Sequence, residues 1–75
     1  MNIVYSSDKL FVELEDNITA NEILRVKNRL FSILNSYSVE EVVLNTSTNV
    51  NEKLVGKFVN EYHKKFDGVI RVNYR

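Results

Sequence analysis

The sequence predicts an α/β (α+β two-layer) domain, in which a four-stranded mixed sheet carries two helices on one face. Three observations predict this fold class. A helix start signal lies at Ile18–Ile23, apolar residues recur at helical spacing in two segments, and the remaining segments alternate or run like strands. The chain order is therefore strand, strand, helix, strand, helix, strand. With 75 residues, residues 1–75 form one domain, close to the smallest size that folds without a metal or a disulfide.

A β-hairpin is predicted at the N-terminus. Asn2–Ser6 and Leu10–Glu15 are strand-like, and the polar residues Ser7–Lys9 between them favour a tight turn. In the second strand, one apolar set alternates with a more polar one, as expected of a sheet with one fully buried face. The two sets are Leu10, Val12 and Leu14 against Phe11, Glu13 and Glu15.

The first helix begins at a capping box. Thr19 and Glu22 have the spacing at which each side chain bonds the other residue's backbone, and Ile18 and Ile23 have the spacing of a hydrophobic staple. The helix is predicted to end near Ser36, with an apolar face at helical spacing. That face consists of Ile23, Val26, Leu30, Ile33, Leu34 and Tyr37.

A central parallel strand, a second helix and a last strand complete the chain. Val39–Asn45 contains an apolar run that faces both ways, which is typical of a strand inside a parallel sheet. Thr46–Asn51 is predicted to be a polar loop in which Asn49 caps the second helix. Gly68 is predicted to end that helix in a left-handed conformation, and Val69–Tyr74 forms the last strand. The second helix buries Leu54, Val55, Phe58, Val59, Tyr62 and Phe66.

One face of the sheet is predicted to remain open. Right-handed crossovers place both helices on the same face when the strands lie in sequence order. The open face then carries Phe11, Glu13, Val43 and Arg71. Isolated apolar residues are normal on any surface, whereas a contiguous patch indicates a partner or a dimer. The sequence leaves these two interpretations open.

Composition excludes several classes of function. The chain has no cysteine and one histidine, His63, so a zinc site or a disulfide framework is not expected, and no cofactor or metal is predicted. No apolar run approaches the roughly 20 residues of a membrane span, and no signal peptide is recognisable, which predicts a soluble, cytoplasmic protein without a membrane partner. The carboxylate pairs Glu13 with Glu15 and Glu40 with Glu41 are best explained by solvation, and no glycine-rich phosphate loop exists. We therefore expect no enzyme activity.

Charge is unevenly distributed along the chain. The net charge is zero, but residues 1–22 carry five acids and one base, and the remainder carries nine bases and five acids. Such a separation of negative and positive charge suits head-to-tail contact with a partner or a second copy, although ordinary solvated faces also explain it. The basic residues of the two helices lack the interleaved aromatics of a nucleic-acid platform, so nucleic-acid binding is not favoured. Gly56, inside the second helix, predicts close packing against the first helix or a partner.

The order and composition of these segments resemble a known family. Val12–Asp16, the helix start Thr19–Ala20 and the strand Val42–Asn45, followed by a helix and a strand, resemble the STAS domain of bacterial anti-sigma factor antagonists. In that family, a loop with the sequence Asp-Ser-Ser-Gly precedes the second helix and carries a phosphorylated serine. Here the loop at residues 46–52 is shorter and lacks the motif, and the family's further helix, strand and helix have no counterpart after Tyr74.

The resemblance implies a non-enzymatic protein-protein interaction domain, from a bacterium or its phage, that docks to a regulatory kinase or a sigma-related factor. The implied surface is the loop and the start of the second helix, comprising Thr46, Ser47, Thr48, Asn49, Asn51 and Lys53. Ser47 and Thr48 are the residues there that could be phosphorylated. Two alternatives stay open: a homodimeric structural subunit that uses the open sheet face, and a small nucleic-acid-binding regulator that uses the basic helix faces.

Overall fold

A four-stranded mixed sheet carries two helices on one face, as the sequence predicts. The computed structural model describes residues 2–47 and 49–74. The sheet has the order β1-β2-β3-β4, in which β1 is antiparallel to β2 and the other neighbours are parallel. The elements are β1 (Asn2–Ser6), β2 (Lys9–Glu13), α1 (Ala20–Ser36), β3 (Glu41–Thr46), α2 (Glu52–Lys65) and β4 (Val69–Tyr74).

The N-terminal hairpin closes through a two-residue turn. Ser7 and Asp8 have φ angles of 53° and 63°, so both lie in the left-handed region, as a type I′ turn requires. The turn pairs Ser6 with Lys9, and the Tyr5 hydroxyl donates a hydrogen bond of 2.9 Å to the Asp8 carboxylate. This turn fixes the register of β1 against β2, which in turn places Ile3 and Tyr5 on the helix side of the sheet.

The core lies between the sheet and the two helices. The predicted alternation in the second strand is confirmed, because Leu10, Val12 and Leu14 are all buried and belong to one apolar cluster with residues of both helices. Val43 points the other way and is outside that cluster. The fully buried side chains are Leu10, Val12, Leu14, Leu30, Val42, Leu44, Thr46, Phe58 and Tyr62.

An aromatic group joins the C-terminal parts of the two helices. Phe31 packs edge-to-face on Phe58, with ring centroids 6.2 Å apart, and on Phe66, at 5.2 Å. Nearby, Lys27 Nζ lies 2.6 Å from a carboxylate oxygen of Glu61, and this ammonium group lowers the pKa of Glu61. Phe31 was missed as a core residue because it falls at the edge of the predicted apolar face of the first helix.

Several predicted boundaries are wrong. Asn51, not Asn49, caps α2, since its side-chain oxygen accepts a 2.9 Å hydrogen bond from the Lys53 N–H. Strand β3 runs through Thr46, which was predicted to begin the loop. Helix α2 ends at Lys65, and Gly68 does not have a positive φ. The helix therefore stops by returning to extended backbone at Phe66, without a left-handed residue.

Gly56 does not serve close packing within the chain. A Cβ atom placed there would meet nothing within 4 Å among the described residues, so the predicted contact with α1 is wrong. Because glycine in an exposed helix interior loses more backbone entropy than alanine, Gly56→Ala is expected to raise the free energy of unfolding by about 1 kcal/mol. Urea unfolding followed by circular dichroism measures this change. A loss of stability would contradict the open surroundings of this residue.

Neither helix offers a membrane span. Over residues 2–47 and 49–74, the structure contains no helix with both the length and the apolar character needed to cross a bilayer.

Candidate interaction site

The surface implied by the family resemblance is only partly accessible. Thr46 and Ser47 are buried, and the Ser47 hydroxyl accepts a 3.2 Å hydrogen bond from the Asn49 N–H. Asn49, Asn51 and Lys53 are exposed around a shallow depression of about 510 Å³ at the start of α2. Thr48 lies outside the described residues. The exposed part of this surface is thus the N-terminus of α2 itself, with two amides and one ammonium group.

The predicted open sheet face is real, but a charged cluster closes part of it. The strand register aligns Phe11, Val43 and Arg71 in one row across β2, β3 and β4. Val43, although no helix covers it, is only 6% exposed, which fits coverage by its neighbours, including the alkyl part of Arg71. Glu13 is half-buried on the same face.

Glu41 is the centre of that charged cluster. Its side chain is 11% exposed, and its two carboxylate oxygens lie 3.2 Å from Lys9 Nζ and 3.2 Å from Arg71 Nε. The contact with Arg71 is an ion pair without hydrogen-bond geometry. The solvated role predicted for Glu41 is therefore wrong, because its carboxylate is buried between Lys9 and Arg71.

An apolar groove beside β1 was not anticipated from the sequence. We call it the edge groove; its volume is about 420 Å³, and its walls come from β1, β2 and the C-terminal part of α1. Tyr5 is 53% exposed and Tyr37 is 68% exposed, so the groove is open to solvent. It exists because α1 connects β2 to β3 and leaves the helix side of β1 incompletely covered. The lining residues are Ile3, Tyr5, Leu10, Ile33 and Tyr37.

Exposed apolar side chains are concentrated at the two edges of the sheet. Among the described residues, six large hydrophobic side chains are exposed, and only Leu24 lies far from an edge strand. Strands β1 and β4 each have one side without a hydrogen-bonded neighbour, and such edges are templates for pairing with another chain. The other five residues are Val4 and Tyr5 on β1, Tyr37 beside β1, and Val69 and Tyr74 on β4.

The two edges differ in charge. At the end of β1, Asp8 and Glu40 come together, because the Glu40 N–H donates a 2.8 Å hydrogen bond to the Asp8 carbonyl. We call this pair the acidic corner. The pKa of Tyr5 is raised first by the hydrogen bond to Asp8, then by desolvation, and then by the charges of Asp8 and Glu40. On the opposite side, Lys64 and Lys65 in the last turn of α2 precede β4; we call them the basic corner.

Among the described residues, the charged side chains that come together in one cluster are Lys9, Glu41 and Arg71. No group of three or more His, Asp or Glu side chains in the described part of the chain could hold a metal ion. His63 is exposed, as predicted, and packs edge-to-face on Tyr62 with centroids 5.7 Å apart.

Comparison with known proteins finds no family model, no curated protein and no solved structure that matches this chain.

Proposed function

We propose that this chain is a protein-interaction domain that binds through the edges of its sheet. The observation that carries this proposal is the edge groove, an apolar depression that lies directly beside the free backbone of β1. Exposed apolar surface next to unpaired N–H and C=O groups suits a polypeptide, because backbone hydrogen bonds and side-chain burial then add together.

The register of β1 predicts which side chains of a bound strand would enter the edge groove. Ile3 and Tyr5 face the groove, whereas Val4 faces the other side of the sheet, since Val4 is aligned with Phe11. A strand added beside β1 would alternate in the same way, so every second residue would enter the groove. Apolar side chains are expected at those positions in the partner.

A photo-crosslinking amino acid in place of Tyr37 tests this proposal. Because Tyr37 is largely exposed, the replacement is expected to change stability by no more than about 0.5 kcal/mol. A partner in the groove gives a crosslinked product in extracts of the native host, and mass spectrometry identifies it.

The matched control places the same amino acid at Leu24, which is also exposed but lies away from both edges. We expect about tenfold more product from position 37, which corresponds to roughly 1.4 kcal/mol of preferential binding. Equal yields at the two positions would rule out a specific site in the edge groove.

Regulatory docking at the start of α2 is a second proposal, and it is the one that the STAS resemblance implies. The common exposure of Asn49, Asn51 and Lys53 supports it, and the partner class would be a regulatory kinase or a sigma-related factor. Lys53→Glu separates the two proposals. It would weaken a partner held at the start of α2 and leave crosslinking from Tyr37 unchanged.

A protein partner is favoured over nucleic acid because some basic side chains already have partners within the chain. Lys27 is paired with Glu61, and Arg71 is paired with Glu41. The nucleic-acid alternative stays a prediction, to be tested by the salt dependence of any affinity. We place the proposed binding in the cytoplasm, on the basis of the cysteine-free composition.

A further inference from the structure

We propose that the partner at these edges is a second copy of this chain, with β1 of one copy paired antiparallel to β4 of the next. The inference rests on the proposed function and names its partner. Because β1 runs opposite to the other three strands, a second copy in the same orientation presents β1 antiparallel to β4. Copies then join head to tail into one continuous sheet, with all helices on the same side.

The two edges match in length and in side-chain pattern. Strand β1 has 5 residues and β4 has 6, and each carries an exposed valine on the open face and an exposed tyrosine on the helix side. Aligning Ser6 with Val69 of the next copy places Ile3 and Tyr5 opposite Val72 and Ile70. Such aromatic and β-branched cross-strand pairs are favourable.

Charge favours this pairing over pairing of identical edges. In the antiparallel arrangement, the C-terminal end of β1 lies beside the N-terminal end of β4, so the acidic corner approaches the basic corner, with Asp67 as the one acid between Lys65 and β4. Two copies of β1 would instead bring together two hairpins (residues 2–13) whose one base, Lys9, is already paired with Glu41, which offers the acidic corner less opposite charge than the basic corner does.

The expected strength of the contact follows from its size. A five-residue strand is roughly 17 Å long, so the buried area falls below the roughly 1,200 Å² in total that stable complexes bury. We therefore expect weak association that increases with concentration. Because the contact joins two different edges, nothing in it limits the assembly to two copies.

Two variants, each blocked at one edge, provide the test. Val4→Lys places a lysine opposite Arg71 of the next copy, and Val69→Glu places a carboxylate beside the acidic corner. Val4 and Val69 are 59% and 58% exposed, so neither substitution opens the core. Because Val69 is aligned with Glu41 of its own chain, the circular dichroism spectrum of Val69→Glu has to match that of the wild type before its mass is interpreted. Leu24→Lys and Leu24→Glu carry the same charge changes away from both edges and serve as matched controls.

Sedimentation velocity over a range of concentrations gives the readout. The weight-average mass of the wild type and of the Leu24 controls should rise with concentration, whereas each edge variant alone should remain a monomer. An equimolar mixture of Val4→Lys and Val69→Glu still has one intact β1 and one intact β4, so its mass should rise to that of a dimer and no further.

Three outcomes would overturn the inference. These are a wild type that stays monomeric at every concentration, a Val69→Glu variant that still dimerises, and a mixture of edge variants that remains monomeric. A different protein crosslinked from position 37 would reject the second copy and leave the proposed function standing. Equal crosslinking at positions 37 and 24 would reject the proposed function itself.

Discussion

Phe58→Ala is expected to lower the free energy of unfolding by about 3–5 kcal/mol, the usual cost of removing a large aromatic side chain from a core. Phe58 is fully buried between the helices and the sheet, and it contacts Phe31 edge-to-face. Whole domains are commonly stable by only about 5–15 kcal/mol, and small ones lie near the lower end. Phe58→Ala is therefore expected to bring the domain close to the limit at which it remains folded.

Urea unfolding followed by circular dichroism measures the effect of Phe58→Ala. Tyr74→Ala is the matched control, because Tyr74 is also aromatic but more than half exposed at the edge of the sheet. We expect the control to cost less than about 1 kcal/mol, within the range of strand preferences. Similar losses in both variants would mean that Phe58 does not hold the core together as the structure indicates.

Gly68→Ala is expected to destabilise the fold by about 1–3 kcal/mol, the cost of forcing extra volume into a packed site. A Cβ atom at this position would lie 2.5 Å from the Tyr62 hydroxyl oxygen, which is closer than any van der Waals contact. Tyr62 has little room to move, because it is fully buried and its ring lies 5.5 Å from that of Phe66. Burial also raises the pKa of Tyr62.

Tyr62→Phe removes the oxygen that causes the clash and completes a double-mutant cycle with Gly68→Ala. The hydroxyl donates only a long, 3.5 Å hydrogen bond to the Val69 carbonyl, so Tyr62→Phe alone should cost no more than about 1.5 kcal/mol. In the Tyr62→Phe background, Gly68→Ala should cost much less than in the wild type. An unchanged cost would show that the clash is not the reason for the glycine.

The two glycines show what local sequence can and cannot predict. Both interrupt the pattern of the residues around them. From the sequence, Gly56 is predicted to allow close packing, and Gly68 is predicted to supply a left-handed backbone conformation. In the structure, a Cβ atom at Gly56 would meet no other part of the described chain, whereas Gly68 lies against Tyr62. The difference depends on which distant side chain comes near, and spacing along the chain does not contain that information.

Features that depend on neighbouring residues were predicted well. The capping box of Thr19 and Glu22 is present with both of its hydrogen bonds, because residues three positions apart meet at any helix start. The alternation that begins at Leu10 and the apolar run of β3 also predicted the two-layer arrangement of sheet and helices. The cap of α2 was misplaced by two residues because Asn49 and Asn51 are equally suitable in type, and the length of β3 decides between them.

The edge groove lay beyond prediction for a different reason. Tyr37 has the spacing of a buried helix residue, but α1 ends at Ser36 and Tyr37 lies in extended backbone beside the edge strand β1, where it is exposed. The burial of Thr46 and Ser47 likewise follows from β3 continuing past Asn45. The surface predicted from the family resemblance rested on residue types alone. Whether those residues are accessible depends on where each strand ends.

The parallel alignment of β2 with β3 also has a consequence for the order in which this chain folds. Lys9 is aligned with Glu41, so these two strands cannot meet until the whole of α1 has been brought across the sheet, and closing a loop of that length costs entropy before any contact compensates for it. The hairpin at Ser7 and Asp8 needs no such closure and forms on the microsecond timescale. We therefore expect the hairpin to pair before β3 adds to β2.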